Sequence, residues 1–278
     1  MPLPRFGEPR SLTAGPGTDL RTIWTPDSQA VVFERLSGQV RRLYRLTLDG
    51  TDLREVPLDE TPGHNTTGRA AFRDPEAFVF VSDREGPPAL FQSVAGRVSL
   101  LLSGPAPCHG PALPPDGQGP LLFFQQPSED EAFICSLDES GQVNRLTQAP
   151  GVQDQPWPLA DGQGFIYHGA DQDGHRLYRQ ALVPGALREC LSAEDESTPY
   201  VTPFPSPDGR WLAFTSALSG QEQIWVMDLQ DRTRAQVTSG DPHSFPAWSP
   251  DGQFLVCTQG QPTARSPHGH LVLLSVEG

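Results

Sequence analysis

The sequence predicts an all-β fold, a six-bladed β-propeller of four-stranded antiparallel blades, closed by an N-terminal strand that pairs with the C-terminal blade. Three observations predict it. A Pro-Asp-Gly type of turn recurs along the 278 residues. A short apolar run follows each copy of the turn. The last unit lacks its fourth strand, and the N-terminus carries a spare one.

The clearest copies of the turn unit are Phe245-Pro-Ala-Trp-Ser-Pro-Asp-Gly252 and Pro203-Phe-Pro-Ser-Pro-Asp-Gly209. Earlier copies run from Pro156, Pro111 and Thr22, and a worn copy starts at Ala70. Taking Asp27, Pro75, Asp116, Asp161, Asp208 and Asp251 as turn positions, the gaps are 48, 41, 45, 47 and 43 residues. A four-stranded propeller blade occupies about 40 to 45 residues, so one turn marks one blade. In the turn Pro presets φ, Asp bonds the neighbouring backbone and Gly accepts positive φ.

The run after each turn, such as Ala30–Phe33 or Trp211–Ser216, is nearly all apolar, as expected of a strand covered on both faces. Third strands follow a polar loop: Leu43–Leu48, Leu177–Leu182 and Ile224–Leu229. Fourth strands are shorter, at Arg145–Thr147, Arg188–Ser192 and Ala235–Ser239. The final unit stops at its third strand, His270–Gly278, while Glu8–Gly15 resembles a fourth strand without a blade. Pairing of Arg10–Ala14 with Leu271–Val276 is therefore expected, which removes two open sheet edges. The whole chain, 1–278, reads as one domain. Residues 1–17 form its closing strand, and blades lie near 18–60, 61–104, 105–149, 150–193, 194–240 and 241–278.

Composition narrows the function. The formal net charge is −14 and every one of the 20 basic residues is Arg, which argues against a nucleic-acid backbone or an anionic membrane surface as partner. Abundant Pro and Gly (30 and 27 residues) recur between apolar runs, so they mark turns rather than disorder. Cys108, Cys135, Cys190 and Cys257 lack CxxC spacing and fall in different units, so they suggest neither zinc nor a disulfide framework. No apolar stretch is long enough to span a membrane. The start, Met1–Phe6, lacks the apolar core of a signal peptide. A chain with this natural start is expected in the cytoplasm, and one with a trimmed leader in the periplasm.

Trp248-Ser-Pro-Asp-Gly252, the strand Ile224–Leu229 and Gln236-Val-Thr-Ser-Gly240 resemble the repeat of TolB-type propellers, and the resemblance extends over essentially the whole chain. It implies a six-bladed ring with a central channel whose rim binds partner segments or ligands. No additional N-terminal α/β domain and no Gly-x-Ser-x-Gly nucleophile elbow is found, so a free-standing propeller is expected.

Residues placed just before each first strand are expected at the channel mouth: Asp19, Arg21, His64, Arg69, His109, Asp154, Gln155, Thr202 and His243. Polar groups converging on one concavity suit a peptide or ligand. The expected function is a non-catalytic protein- or peptide-binding scaffold, monomeric, with no cofactor. The alternative is a small-ligand or carbohydrate-active lyase or hydrolase, metal-assisted through histidines. His268 and His270 are two apart and would share a strand face, but they stand in or beside a polar loop, which reads better as surface. Asp171–Gly174 starts like a calcium loop yet lacks the downstream Glu, so it reads as a turn. Glu129–Glu131 and Glu194–Glu196 read as solvated charge. The five Trp follow the repeat and read as core.

Overall fold

A computed structural model describes residues 3–15, 17–38, 40–56, 65–74, 77–114, 117–171, 174–192, 198–260 and 269–277, with 65–74 and 171 described as backbone. Every regular element among them is a β-strand. The chain divides into two compact units, Met1–Val56 with Thr198–Gly278, and Pro57–Ser197.

The first unit holds three sheets. One is Thr18–Trp24, Ala30–Ser37, Val40–Thr47 and Leu53–Glu55, each strand antiparallel to the next. The second is Tyr200–Pro205, Trp211–Ser216, Gln223–Asp228 and Arg234–Gln236. The third is His243–Trp248, Phe254–Gln259 and His270–Glu277. Two short N-terminal strands complete it on the outer side of His270–Glu277: Arg5 and Phe6 lie opposite Glu277 and Val276, and Arg10 and Ser11 lie opposite Leu273 and Val272. The Leu12 amide donates to the Leu271 carbonyl at 2.8 Å, and the Leu271 amide donates to the Thr13 hydroxyl at 2.9 Å.

In the second unit Asn65–Asp74, Ala77–Ser82, Ala89–Val94 and Arg97–Leu102 form one sheet. Two further four-stranded stretches start at Cys108–Ala112 and Val152–Pro158. A parallel bridge between Ala132 and Val152 links them into one sheet.

Packing follows from the apolar second strands. Val31, Phe33, Leu46, Ala247, Val256 and Leu271 form one core cluster between neighbouring sheets of the first unit. Leu121, Phe123, Cys135, Val79 and Leu90 do the same in the second. Trp24, Trp157 and Trp248 are buried as the repeat implies, and Trp24 also donates its indole N–H to the Ala247 carbonyl at 3.0 Å. Trp211 and Trp225 are only half-buried. The four cysteines are free, and burial pushes the Cys135 thiol up to about 12, so it is no nucleophile.

The turn that marks the repeat is a hydrogen-bonded cassette. In Ser249–Phe254 the Ser249 hydroxyl donates to Asp251 at 2.6 Å, and the same carboxylate oxygen accepts the Gln253 amide at 3.0 Å. The Phe254 amide donates to the Ser249 hydroxyl at 2.9 Å. Ser206–Trp211 repeats every bond, and Thr25–Ala30 repeats them with Thr as the hydroxyl. These bonds hold the Asp27 carboxyl below its ordinary value, with the Thr25 hydroxyl as the main cause. The turn positions Pro75 and Asp116 lie outside the described residues.

Gly209 and Gly252 take φ of 71° and 72° in this cassette, and Ser28 takes 59° in the same place. A serine there is strained by about 1 kcal/mol relative to glycine. Its hydroxyl accepts the Asp251 amide of the neighbouring turn at 3.2 Å, which offsets the strain. Ser28→Gly should therefore leave stability within about 0.5 kcal/mol of wild type, whereas Ser28→Ala keeps the strain, loses the bond and costs about 1 kcal/mol. Urea unfolding of both variants checks this, and equal stabilities would refute it. Removal of residues 1–17 strips the two strands from His270–Glu277 and should lower the melting temperature by roughly 5 °C or more. An unchanged melt would show that the pairing contributes nothing.

Candidate functional site

The residues expected just ahead of the first strands are found inside them. Asp19 and Arg21 lie in Thr18–Trp24, His109 in Cys108–Ala112, Asp154 and Gln155 in Val152–Pro158, Thr202 in Tyr200–Pro205, and His243 opens His243–Trp248. The apolar signature marks only the second half of each strand, because a bulge separates the halves. Register shifts fall at Leu20/Ile23, His109/Ala112, Asp154/Trp157, Val201/Phe204 and Ser244/Ala247. At each bulge one residue is left-handed: Arg21, Gly110, Gln155, Thr202 and Phe245, with φ between 51° and 57°. Four of these five are not glycine, and Thr is β-branched, so the backbone stores about 1 to 3 kcal/mol at each. Proline follows four of them, at 111, 156, 203 and 246, where a bulge asks for no ladder N–H. His64 lies outside the described residues, and Arg69 is placed only as backbone in Asn65–Asp74. His268, Asp173 and Glu194–Glu196 also lie outside them.

The second strand supports the bulge. The residue opposite the one that precedes the left-handed position is Thr215 in one sheet and Thr258 in another. Thr258 donates to the Asp19 carbonyl at 3.0 Å, in the first strand of a neighbouring sheet. Thr215 shares a 2.6 Å bond with Thr202 and accepts the Phe245 amide at 3.3 Å. At the same register the other sheets carry Glu34, Phe124 and His168. His109 stacks on Phe124 with ring centroids 5.3 Å apart.

Glu34 is 1% exposed, and its Oε2 faces Arg21 at 3.5 Å and Arg41 at 3.3 Å. Beside it Asp19, also buried, takes two bonds from Arg35, at 2.7 and 2.8 Å. His168, 5% exposed, forms the centre of a chain: its Nδ1 is 2.6 Å from Asp154 and its Nε2 is 2.9 Å from His175 Nδ1. With Asp154 ionised, His168 donates from Nδ1 and His175 donates to His168. The remaining His175 nitrogen is then a base. Desolvation and the neighbouring His168 hold the His175 pKa down, so the ring is neutral near pH 7. Only Asp154 of this chain stood out in the sequence. The partners are invisible there because they depend on register.

His243 is buried, with Nδ1 3.2 Å from the Gln223 amide oxygen, which also accepts the Thr238 hydroxyl at 2.7 Å. That arrangement puts the proton on Nδ1 and leaves Nε2 without a hydrogen-bond partner. Desolvation lowers its pKa despite the opposing influence of Asp241. Among the described residues no group of three or more His, Cys, Asp or Glu is placed to hold a metal ion. No helix there is long and apolar enough to cross a membrane.

Because its folded pKa is depressed, His243 favours the folded state above the unfolded value near 6.5, and this contribution is lost as pH falls. His243→Gln, the residue that occupies the matching strand position at 153, should show a smaller loss of unfolding free energy between pH 7 and pH 5. Denaturant titrations at the two pH values measure it, and an unchanged loss would refute the assignment.

Known proteins resemble this arrangement. A family model described as "TolB beta propeller domain" matches residues 94–265. An uncharacterized protein of Agrobacterium fabrum is 24% identical over 248 residues, 88% of this chain and 75% of its own. The Tol-Pal system protein TolB of Alcanivorax borkumensis is 34% identical over 100 residues, 35% of this chain but only 20% of its own. Among solved structures, a putative TolB from Agrobacterium tumefaciens superposes with TM-score 0.73 at 18% identity, covering 97% of this chain and 94% of that one. TolB from Acinetobacter baumannii gives 0.67 at 19%, covering 94% of this chain and 64% of that one. An oligogalacturonate lyase in complex with manganese gives 0.61 at 15%, covering 96% and 79%. At these identities the structures establish an all-β propeller fold and leave activity open.

Proposed function

The chain belongs to the TolB β-propeller family, and from that premise we propose a non-catalytic scaffold that binds a protein or peptide segment along the bulged first strands, at a channel mouth of six blades. One observation carries this reading. The left-handed position recurs with nearly identical φ, yet presents Arg21, Gln155 and Phe245 in turn, while Thr202 is buried against Thr215. A repeated backbone with changing side chains displays a recognition surface. The retained strain supports it, because glycine would fit each position without strain. The charge of −14 fits a protein rather than a nucleic-acid partner.

A second reading, an enzyme acting on a small ligand or carbohydrate, rests on the Asp154–His168–His175 chain. Its exposed end offers a general base. Turnover of oligogalacturonate that His175→Gln abolishes would favour it.

Selection of a displayed library of random dodecapeptides on the purified chain tests the scaffold. A consensus peptide is expected. Gln155→Gly and Phe245→Gly relieve the backbone, so each should weaken binding of that peptide about tenfold without lowering the melting temperature in proportion. Failure to enrich any peptide, or binding indifferent to both variants, would overturn the proposal.

A further inference from the structure

Asp154, His168 and His175 come from the first, second and third strands of one sheet and carry a charge to an exposed tip. Asp19, Glu34 and Asp228 each face at least one guanidinium. Asp154, half-buried, faces only the His168 ring among the described residues. The two rings lie nearly parallel, 12° apart, with His168 Nε2 2.9 Å from His175 Nδ1. Asp154 directly precedes the left-handed Gln155, so the chain starts at a bulge. It ends on the third strand at His175, which is exposed and lies opposite Ala170.

The two rings have four nitrogens but only three places for protons, because the facing pair shares one. With both rings neutral, one proton sits between His168 and Asp154 and one between the rings. The outer Nε2 of His175 is then a bare acceptor, and the whole chain carries −1. One more proton on either ring fills the outer place. The tip becomes a donor and the charge of the chain falls to zero. Desolvation and then His168 hold the His175 pKa below 6.5, against the opposing pull of Asp154, so the acceptor form prevails at pH 7. Arg176 follows His175 on the alternate face of the pleat, opposite Gly169, and Asp171 opposite Gly174 is placed only as backbone. Glu189 and Cys190 of the fourth strand lie further along, opposite Arg179 and Tyr178. The strands packed against Val152–Pro158 carry Cys108, His109, Glu131 and Cys135. The charges that act on His175 are those of His168 and Asp154.

We infer that the outer nitrogen of His175 receives a Lys or Arg side chain of a bound peptide, with Asp154 supplying the charge through His168, and that acid releases it. This rests on the peptide-binding reading and names the chemistry that it recognises at one position. An ammonium or guanidinium N–H donates to the bare nitrogen, and a chain of hydrogen bonds ending on a carboxylate strengthens that bond. Protonation removes the acceptor and the charge together.

The dodecapeptide selection at pH 7, run in parallel on wild type, Asp154→Asn and His175→Leu, decides it. On the wild type, Lys or Arg at one position of the consensus is expected at about fivefold its input frequency, the size of a screened charge interaction. Asp154→Asn keeps an acceptor for His168 and removes the charge, so that position should lose its basic preference while the rest of the consensus survives. His175→Leu removes the tip and should do the same. Melting curves of the three proteins accompany the selection. The overall charge of −14 would instead enrich basic residues at every position and in both variants alike. Affinity of the synthetic wild-type consensus peptide is then followed from pH 7 downward. It should fall through a midpoint below 6.5, whereas His175→Gln, with an acceptor that takes no proton, should not show that fall. A consensus without a basic position, one that both variants retain, or an equal fall with pH in His175→Gln overturns the cation site and leaves the scaffold standing. Absence of any consensus overturns both.

Discussion

The left-handed bulge in the first strands is the constraint on which the rest of the structure turns. It divides each strand into an apolar half that feeds the core and a polar half that carries the candidate site. Everything nearby serves it. Proline can follow because no ladder amide is needed there. The opposing residue of the second strand offers a hydroxyl to the backbone, as Thr215 and Thr258 do, a buried group with its own partners, as Glu34 and His168 do, or a ring, as Phe124 does against His109. The turn cassettes hold the other end of the same strands, so the bulge is fixed between a core and a hydrogen-bonded turn.

The core was legible in the sequence because it repeats. Turn spacing marked each unit, and apolar runs such as Trp211–Ser216 marked the second strands. The site was legible only in part. Asp19, Arg21, Asp154, Gln155, Thr202 and His243 could be picked out as polar residues near strand starts, but their strands begin earlier than the apolar pattern suggests. The left-handed position was hidden, since only Gly110 among the described copies advertises positive φ. Glu34, Arg41, His168 and His175 were hidden for a different reason. Their meeting depends on cross-strand register and on the two-residue offset along the third strand, and neither has a compositional signature.

One backbone plan thus supports two kinds of polar cluster. The pair Leu36 and Arg41 in one sheet corresponds to the pair Ala170 and His175 in another, each two residues beyond the buried Glu34 or His168. In the first sheet the third strand supplies a permanent cation. In the second it supplies a titratable ring. Repetition makes the scaffold robust, and substitution at a single register changes the chemistry without disturbing the strands that carry it.

The pairing of Arg10 with Leu273 has a consequence for how the protein is made. The first strands leave the ribosome long before their partner exists, since 262 residues lie between Arg10 and Leu273. Until the last segment emerges, Arg5–Phe6 and Arg10–Ser11 have nothing to pair with. At synthesis rates of about 5 to 20 residues per second, that interval lasts on the order of tens of seconds. A nascent chain of this design therefore carries its N-terminal strands unpaired through that interval.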